Sequence, residues 1–205
     1  MLWQWNKVLR FRTGQQVVLF DGEQTDRLYT ITELKKDEAH LQMVTELKRQ
    51  LPSKHVYLFW SLLKKDNNDF VLQKCTELGV SNFVPLLTDR SVRDNFNHDR
   101  AIKIVREASE QCGRSNIPVV REPLHLQTAL TEYSDKLDFY ICEQGEGAVM
   151  PTANKPIGLF IGPEGGWSDT EKQMFKSYEL HHLAISDFTL RAETAAIIAG
   201  SKLLQ

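Results

Sequence analysis

The feature that most constrains the fold is an uninterrupted apolar run, HVYLFWS, from His55 to Ser61. A strand with one face in water alternates apolar and polar residues, whereas a strand of a parallel sheet is buried on both faces and is apolar throughout. Segments of the same kind recur at residues 82–87, 137–142, 156–161 and 182–185. The sequence therefore predicts a buried, mostly parallel sheet that contains these strands.

Helical patterns lie between the predicted strands. Helices are predicted over residues 68–78, from Asn97 to Cys112, over residues 124–132, from Ser168 onward and over residues 192–204. Gly79 follows the first as a C-cap, and Ser168 with Glu171 forms a capping box. The inner face of the second is expected to comprise Ala101, Ile102, Val105, Ala108 and Cys112. Such alternation indicates an α/β fold, in which ligands bind beyond the carboxyl ends of the strands.

Residues 1–50 follow a different pattern, which we interpret as β structure. Short apolar or alternating segments at residues 17–20, 28–32 and 39–44 predict strands, and Asp21-Gly22 is a turn signal. The segment from Leu51 to Lys54 has the composition of a linker. We therefore expect a small β-barrel or sandwich over residues 1–50 and an α/β domain over residues 54–205.

The composition is that of an ordinary globular protein, with 41% hydrophobic residues and a net charge of -2 over 205 residues. No apolar run approaches the roughly 20 residues of a membrane-spanning helix, and the N-terminus lacks the pattern of a signal peptide. A cytoplasmic location is the default expectation. Cys75, Cys112 and Cys142 are far apart and form no CxxC pair, so neither a disulfide framework nor a metal site is expected.

The sharpest local signal is the segment IGPEGGWS, from Ile161 to Ser168, which joins a buried strand to a capped helix. Its glycines permit close approach of the backbone to a ligand. The segment matches neither GxxxxGK[ST] nor GxGxxG, which disfavours a standard nucleotide-binding loop and hence a nucleotide-dependent hydrolase or oxidoreductase. From the residues alone, a ligand-binding loop and a tight turn without a ligand remain alternatives.

Four further segments carry charged residues that have both a functional and a structural interpretation. Arg191 and Glu193, in LRAETA, form either a reactive site or an ion pair at the start of the last helix. Lys74 and Glu77, in QKCTELGV, form either a functional site or a solvated pair. Arg114, in SEQCGR, contacts RNA or a partner, or it serves as a helix cap. The segment over residues 90–121 is rich in arginine, which fits an RNA-binding surface or a solvated mixed face.

Together, QKCTELGV, SEQCGR, GPEGGWS and LRAETA resemble, in order and spacing, the RsmE family of SPOUT methyltransferases. The similarity spans residues 54–205, and Lys7–Arg10 and Leu19–Gly22 resemble the family's PUA-like β-barrel, which is expected to be truncated here. The resemblance implies a parallel α/β sheet with a C-terminal trefoil knot, a homodimer, and S-adenosylmethionine as cofactor. It also implies methylation of uridine N3 in 16S ribosomal RNA of the small subunit.

The resemblance also implies roles for individual residues. The cofactor is expected to contact Ile161, Gly162, Glu164, Gly165, Gly166, Ile185 and Leu190. Arg191 is expected to stabilise negative charge on the uracil, and Glu193 to orient Arg191 or accept the N3 proton. RNA contacts are expected at Arg10, Lys74, Arg90, Arg93 and Arg114. The alternatives are a non-catalytic RNA-binding protein of the same fold and a SPOUT enzyme that methylates the ribose 2′-oxygen.

Overall fold

The structure is a computed structural model that describes residues 2–22, 25–92, 96–143 and 155–204. The chain divides into two compact units, Met1–Leu51 and Pro52–Gln205. The first contains helix α1 (Leu2–Lys7) and strands β1 (Gln16–Phe20), β2 (Asp26–Leu34) and β3 (Ala39–Leu47). The strands form an antiparallel sheet with β2 in the middle, which confirms the three predicted strands.

Helix α1 corrects the prediction that residues 1–50 are β structure throughout. Six residues are too few for a helix to be stable alone in water. Trp5, however, is buried with Val17 and Ile31 in the small core of this unit, and its ring packs edge-on against Phe11 at 5.7 Å. Tertiary packing therefore stabilises the helix, and such packing leaves no local periodicity in so short a segment.

The second unit contains a seven-stranded sheet in the described residues, and every strand pair in it is parallel. The strands are β4 (Val56–Ser61), β5 (Asn82–Leu87), β6 (Val119–Val120), β7 (Leu124–His125), β8 (Asp138–Glu143), β9 (Ile157–Ile161) and β10 (Leu180–Ala184). Their order is β10-β8-β9-β4-β5-β6, and β7 also pairs with β5. The predicted parallel sheet is confirmed.

Helices cover both faces of this sheet. They are α2 (Lys65–Leu78), α3 (His98–Cys112), α4 (Leu126–Tyr133), α5 (Asp169–Phe175) and α6 (Ala192–Leu204). Leu58 and Trp60 of β4 pack in the core that includes residues of α2, α3 and α6, whereas Phe59 packs in the core with residues of α4 and α5. All three side chains are fully buried, which explains why apolar residues occupy consecutive positions of the strand.

Several predicted boundaries shift. Helix α2 starts at Lys65, three residues before the predicted start, since its first turn is polar. Gly79 caps it with a φ of 113°, as predicted. Asn97 caps α3 by accepting a hydrogen bond from the Arg100 amide, but Cys112, predicted on the inner face, is exposed. In the described part of the chain, no helix combines the length and apolarity that a bilayer crossing needs.

Candidate functional site

A cleft of about 230 Å³ lies beyond the carboxyl ends of β8, β9 and β10. These strands are neighbours in the sheet, and the loops that follow β9 and β10 line the cleft together with the first turns of α6. The lining residues are Cys142, Ile161, Gly162, Pro163, Glu164, Gly166, Trp167, Ile185, Ser186, Phe188, Thr189, Leu190, Ala192 and Ala195. This is the edge at which parallel α/β sheets bind ligands.

The loop after β9 has a fixed backbone shape. A Cβ atom at Gly162 would lie 3.1 Å from the indole ring of Trp167, so this position has little room for a side chain. Gly166 has a φ of 67°, in the left-handed region, and its amide donates to the Pro163 carbonyl at 2.8 Å. Trp167 is buried and packs edge-on against Phe175 of α5 at 4.9 Å. The glycines therefore let backbone, rather than side chains, face the cleft.

Helix α5 anchors the end of this loop. The Ser168 hydroxyl accepts from the Glu171 amide at 3.2 Å, and the Ser168 amide donates to Glu171 Oε2 at 2.7 Å. This confirms the predicted capping box. Glu171 is only 3% exposed, so its carboxylate is an internal anchor of the loop rather than a surface group.

The loop after β10 supplies the opposite wall. Ile185 and Leu190 are partly buried lining residues, and the Phe188 amide donates to the Ser186 hydroxyl at 3.0 Å. The Phe188 side chain is 80% exposed at the cleft. Sequence reasoning missed Phe188, because a single aromatic residue among polar neighbours has no periodicity that marks it as functional.

Arg191 and Glu193 follow this loop at the start of α6. The Arg191 carbonyl accepts from the Ala195 amide at 2.8 Å, and its side chain is exposed. Glu193 is 8% exposed, and its Oε2 atom is buried with no hydrogen-bond partner in the described residues. No ion pair joins the two side chains there, so the interpretation of these residues as a capping pair is wrong.

The structure brings most of the predicted cofactor residues together. Six of the seven line the cleft: Ile161, Gly162, Glu164, Gly166, Ile185 and Leu190. Gly165 instead faces away from the cleft lining, where a Cβ atom would lie 3.3 Å from Cδ of Arg90. Arg191 and Glu193 are not among the lining residues, although both come directly after Leu190.

The residues predicted to contact RNA differ in their surroundings. Arg10 is exposed and has a left-handed φ of 52°, and Arg93 lies outside the described residues. Lys74 is 2.8 Å from Glu77 in an i,i+3 ion pair, which is partly buried rather than solvated. Arg90 donates to the Gly165 carbonyl at 2.7 Å. The predicted RNA contacts of Arg10, Lys74 and Arg93 remain predictions.

Arg114 has an internal position. The residue is 7% exposed, and its Nη1 atom donates to the carbonyls of Thr76 and Val80 at 2.8 and 2.9 Å. Burial lowers the pKa of its guanidinium. These carbonyls lie at the C-terminal end of α2, where a positive charge is favourable. Arg114 therefore stabilises the packing between the ends of α2 and α3, a position that does not fit the predicted RNA contact.

The chain matches two family models. The RNA methyltransferase domain covers residues 49–204, and the RNA methyltransferase PUA domain covers residues 7–44. Ribosomal RNA small subunit methyltransferase E of Helicobacter pylori is 31% identical over 84% of this chain and 77% of its own length. The protein of that name from Rickettsia conorii is 28% identical over 94% of this chain and 81% of its own length.

Solved structures agree with the sequence matches. Ribosomal RNA small subunit methyltransferase E from Neisseria gonorrhoeae, bound to S-adenosyl methionine, has a TM-score of 0.87 and 28% identity, covering 97% of this chain and 86% of that one. A methyltransferase from Legionella pneumophila in complex with the cofactor SAM has a TM-score of 0.87 and 29% identity, covering 98% and 87%. This chain therefore belongs to the RNA methyltransferase family that includes ribosomal RNA small subunit methyltransferase E.

Proposed function

We propose that this protein transfers a methyl group from S-adenosylmethionine to N3 of a uridine in 16S ribosomal RNA of the small subunit. The observation that carries the proposal is the cleft, where two loops that carry the family's motifs meet at the carboxyl edge of the sheet. Relatives with the same fold bind S-adenosyl methionine, and several are named ribosomal RNA small subunit methyltransferase E.

The residues of the cleft fit an adenosine derivative. Ile161, Ile185 and Leu190 offer apolar contacts for a flat purine ring, and the narrow space at Gly162 keeps the backbone free to approach a ligand. Bound there, S-adenosylmethionine supplies an electrophilic methyl group on a positively charged sulfur. The task of the protein is then mainly to hold the donor and the acceptor base in line.

The exposed side of the cleft suits the acceptor base. A uridine in folded RNA must leave its stack before N3 can meet a methyl donor. Phe188 presents a largely exposed ring on which an unstacked base can pack, and Arg191, three residues later, has no side-chain partner in the described ranges. Arg191 stabilises the negative charge that develops on the uracil as N3 loses its proton.

Glu193 takes the N3 proton in this proposal. The Oε2 atom of its carboxylate is buried without a hydrogen-bond partner in the described residues, and buried carboxylates are seldom left in that state without a function. No hydrogen bond or ion pair joins Glu193 to Arg191 in the described residues, so the geometry supports proton acceptance over the alternative of orienting the arginine.

The family resemblance adds larger features to the proposal. They are a trefoil knot around residues 162 and 190, a homodimer, a cytoplasmic location, and RNA docking by a domain over residues 1–50. Arg10, Lys74 and Arg93 remain the proposed RNA contacts outside the cleft. A crosslinking experiment with small ribosomal subunits, followed by mass spectrometry, would test these contacts directly.

The decisive experiment incubates the protein with S-adenosylmethionine and unmodified small subunits, then digests the RNA and analyses its nucleosides. The expected product is 3-methyluridine, whereas a 2′-O-methylated nucleoside would contradict the proposed specificity. Failure to bind S-adenosylmethionine in calorimetry, with RNA binding intact, would favour the non-catalytic alternative.

Loss of the Arg191 guanidinium tests the mechanism. Removing one preorganised donor to a developing anion slows catalysis by about 100-fold to 1,000-fold. We expect Arg191→Ala to lower the transfer rate by at least the smaller factor while S-adenosylmethionine affinity stays unchanged. Arg106→Ala is the matched control, since Arg106 is an exposed arginine on α3, remote in sequence from both cleft loops.

A further inference from the structure

Two loops from different strands are tied together on the side of the site away from the cleft. The segment Thr88–Ser91 follows β5, and the loop over residues 162–167 follows β9; β4 lies between these two strands in the sheet. Because the strands are not neighbours, no ladder hydrogen bonds join them. The contacts between the two loops are therefore made by side chains and loop backbone.

Arg90 makes the first tie. Its Nη1 atom donates to the Gly165 carbonyl at 2.7 Å and, less closely, to the Trp167 carbonyl at 3.4 Å. Its aliphatic stem lies over Gly165, where a Cβ atom would come within 3.3 Å of Cδ and 3.5 Å of Cβ of Arg90. The guanidinium thus satisfies carbonyls of the same loop whose other residues line the cleft.

Asp89 makes the second tie. Its amide donates to Glu171 Oε1 at 2.9 Å, and its carboxylate accepts from the Ser168 hydroxyl at 2.5 Å. The Ser168 hydroxyl donates to Asp89 and accepts from the Glu171 amide at the same time, because a hydroxyl can donate one hydrogen bond while it accepts another. The buried Glu171 carboxylate therefore binds the ends of both loops at once.

The segment that carries these ties is itself fixed. The Ser91 hydroxyl donates to the Thr88 carbonyl at 2.9 Å, and the Thr88 hydroxyl donates to that of Ser61, at the end of β4, at 3.1 Å. Ser61 is fully buried and Thr88 is 9% exposed. A contact to this segment therefore fixes the other loop relative to the centre of the sheet.

We infer that Arg90 is a positioning residue that holds the loop over residues 162–167 in the shape that binds S-adenosylmethionine, rather than a residue that binds an RNA phosphate. The inference rests on the proposed function for the identity of the ligand. Its physical basis is the position of Arg90 behind the loop: Gly162, Glu164 and Gly166 line the cleft, whereas Gly165 faces the arginine. Release of that carbonyl lets the loop relax away from the ligand.

The test is Arg90→Gln, which keeps a donor but shortens the side chain and removes the charge. We expect its S-adenosylmethionine affinity, measured by calorimetry on the full chain, to fall about tenfold, the usual effect of losing one charge-assisted hydrogen bond. The salt dependence of its binding to 16S ribosomal RNA should stay that of the wild type, whereas loss of a phosphate contact would reduce the logarithmic slope by about 1. Arg106→Gln, the matched control for cofactor binding, should leave the S-adenosylmethionine affinity unchanged.

Amide hydrogen exchange of residues 162–167 in the ligand-free protein tests whether Arg90 stabilises this loop. The measurement does not depend on which ligand the cleft binds. Exchange there should be faster in Arg90→Gln than in the wild type. A wild-type protein that fails to bind S-adenosylmethionine would refute the proposed function, whereas exchange that is unchanged in the variant would refute the positioning role. Wild-type cofactor affinity in Arg90→Gln would likewise overturn the inference.

A second variant guards against a folding failure of the first. Asp89→Ala removes the acceptor for the Ser168 hydroxyl while the backbone bond to Glu171 can persist. Asp89→Ala should speed amide exchange in the same loop and weaken S-adenosylmethionine binding. Arg90→Lys retains a charged donor, so it should bind S-adenosylmethionine more tightly than Arg90→Gln does. If Asp89→Ala leaves both measurements at wild-type values, the tie between the loops has no positioning effect.

Discussion

Replacement of Arg114 by methionine should destabilise the second unit rather than weaken RNA binding. Methionine keeps most of the apolar stem but removes every hydrogen-bond donor. The Thr76 carbonyl would retain its hydrogen bond from the Gly79 amide at 3.1 Å. The Val80 carbonyl would lose the hydrogen bond from Arg114, which is the only one seen at this carbonyl in the described residues. The variant thus leaves one buried acceptor without a partner and a second with half of its bonds.

The expected loss follows from these two carbonyls. An unsatisfied buried polar group destabilises the folded state by about 1–3 kcal/mol. The variant also removes the desolvation penalty of the buried guanidinium, which offsets part of this loss. We expect the free energy of unfolding to fall by about 2–3 kcal/mol. With an m-value of about 2 kcal/mol/M, the midpoint of urea unfolding would shift down by roughly 1 M.

The shift in the urea midpoint is measured by comparing Arg114→Met with the control variant Arg106→Met. Both positions lie on or next to α3, but Arg106 is exposed. Affinity for 16S ribosomal RNA, measured well below the midpoint, should be the same for Arg114→Met and the wild type. The reasoning would be refuted if Arg114→Met unfolded at the midpoint of the control variant and bound RNA more weakly, because Arg114 would then face the nucleic acid.

Three other changes have outcomes that follow from the packing. Gly158→Ala puts a methyl group 2.8 Å from the ring of Phe139 in the middle of the sheet, so unfolding stability should fall by about 1–3 kcal/mol in thermal melts. Phe188→Ala should lower kcat/KM for the ribosomal subunit by about tenfold through lost base stacking, with unchanged calorimetric affinity for S-adenosylmethionine; an unchanged rate would exclude stacking. In native protein at pH 8, iodoacetamide should label the exposed Cys112 but not Cys75, since burial raises the pKa of the Cys75 thiol to about 12; peptide mass spectrometry shows whether it does.

Local sequence was sufficient where one element determines its own structure. The strand from Val56 to Ser61 is buried on both faces, and its run of apolar and aromatic residues from Val56 to Trp60 indicates this burial. Ser168 and Glu171 form their capping box within three residues. Gly79 ends α2 because its left-handed φ costs a glycine little. The parallel sheet and the position of the cleft at its carboxyl edge follow from such local signals.

Long-range contacts were beyond local reasoning. Arg114 and its acceptors Thr76 and Val80 are 38 and 34 residues apart in sequence, so no spacing rule connects them. The tie from Arg90 to Gly165 crosses 75 residues. The local sequence around an exposed arginine does not indicate whether its side chain binds a carbonyl of the protein or a phosphate of RNA. Only the positions of its neighbours in the folded chain distinguish these two roles.

The central position of β4 has a consequence for synthesis of the chain. β4 is synthesised early, but one of its two edges stays unpaired until β9 is made, after β5, α4 and β8. An unpaired edge of a largely apolar strand promotes pairing with other chains. Nascent chains that stall near residue 150 should therefore be strong substrates for chaperones, and truncated products of that length should accumulate as aggregates rather than as a folded half-domain.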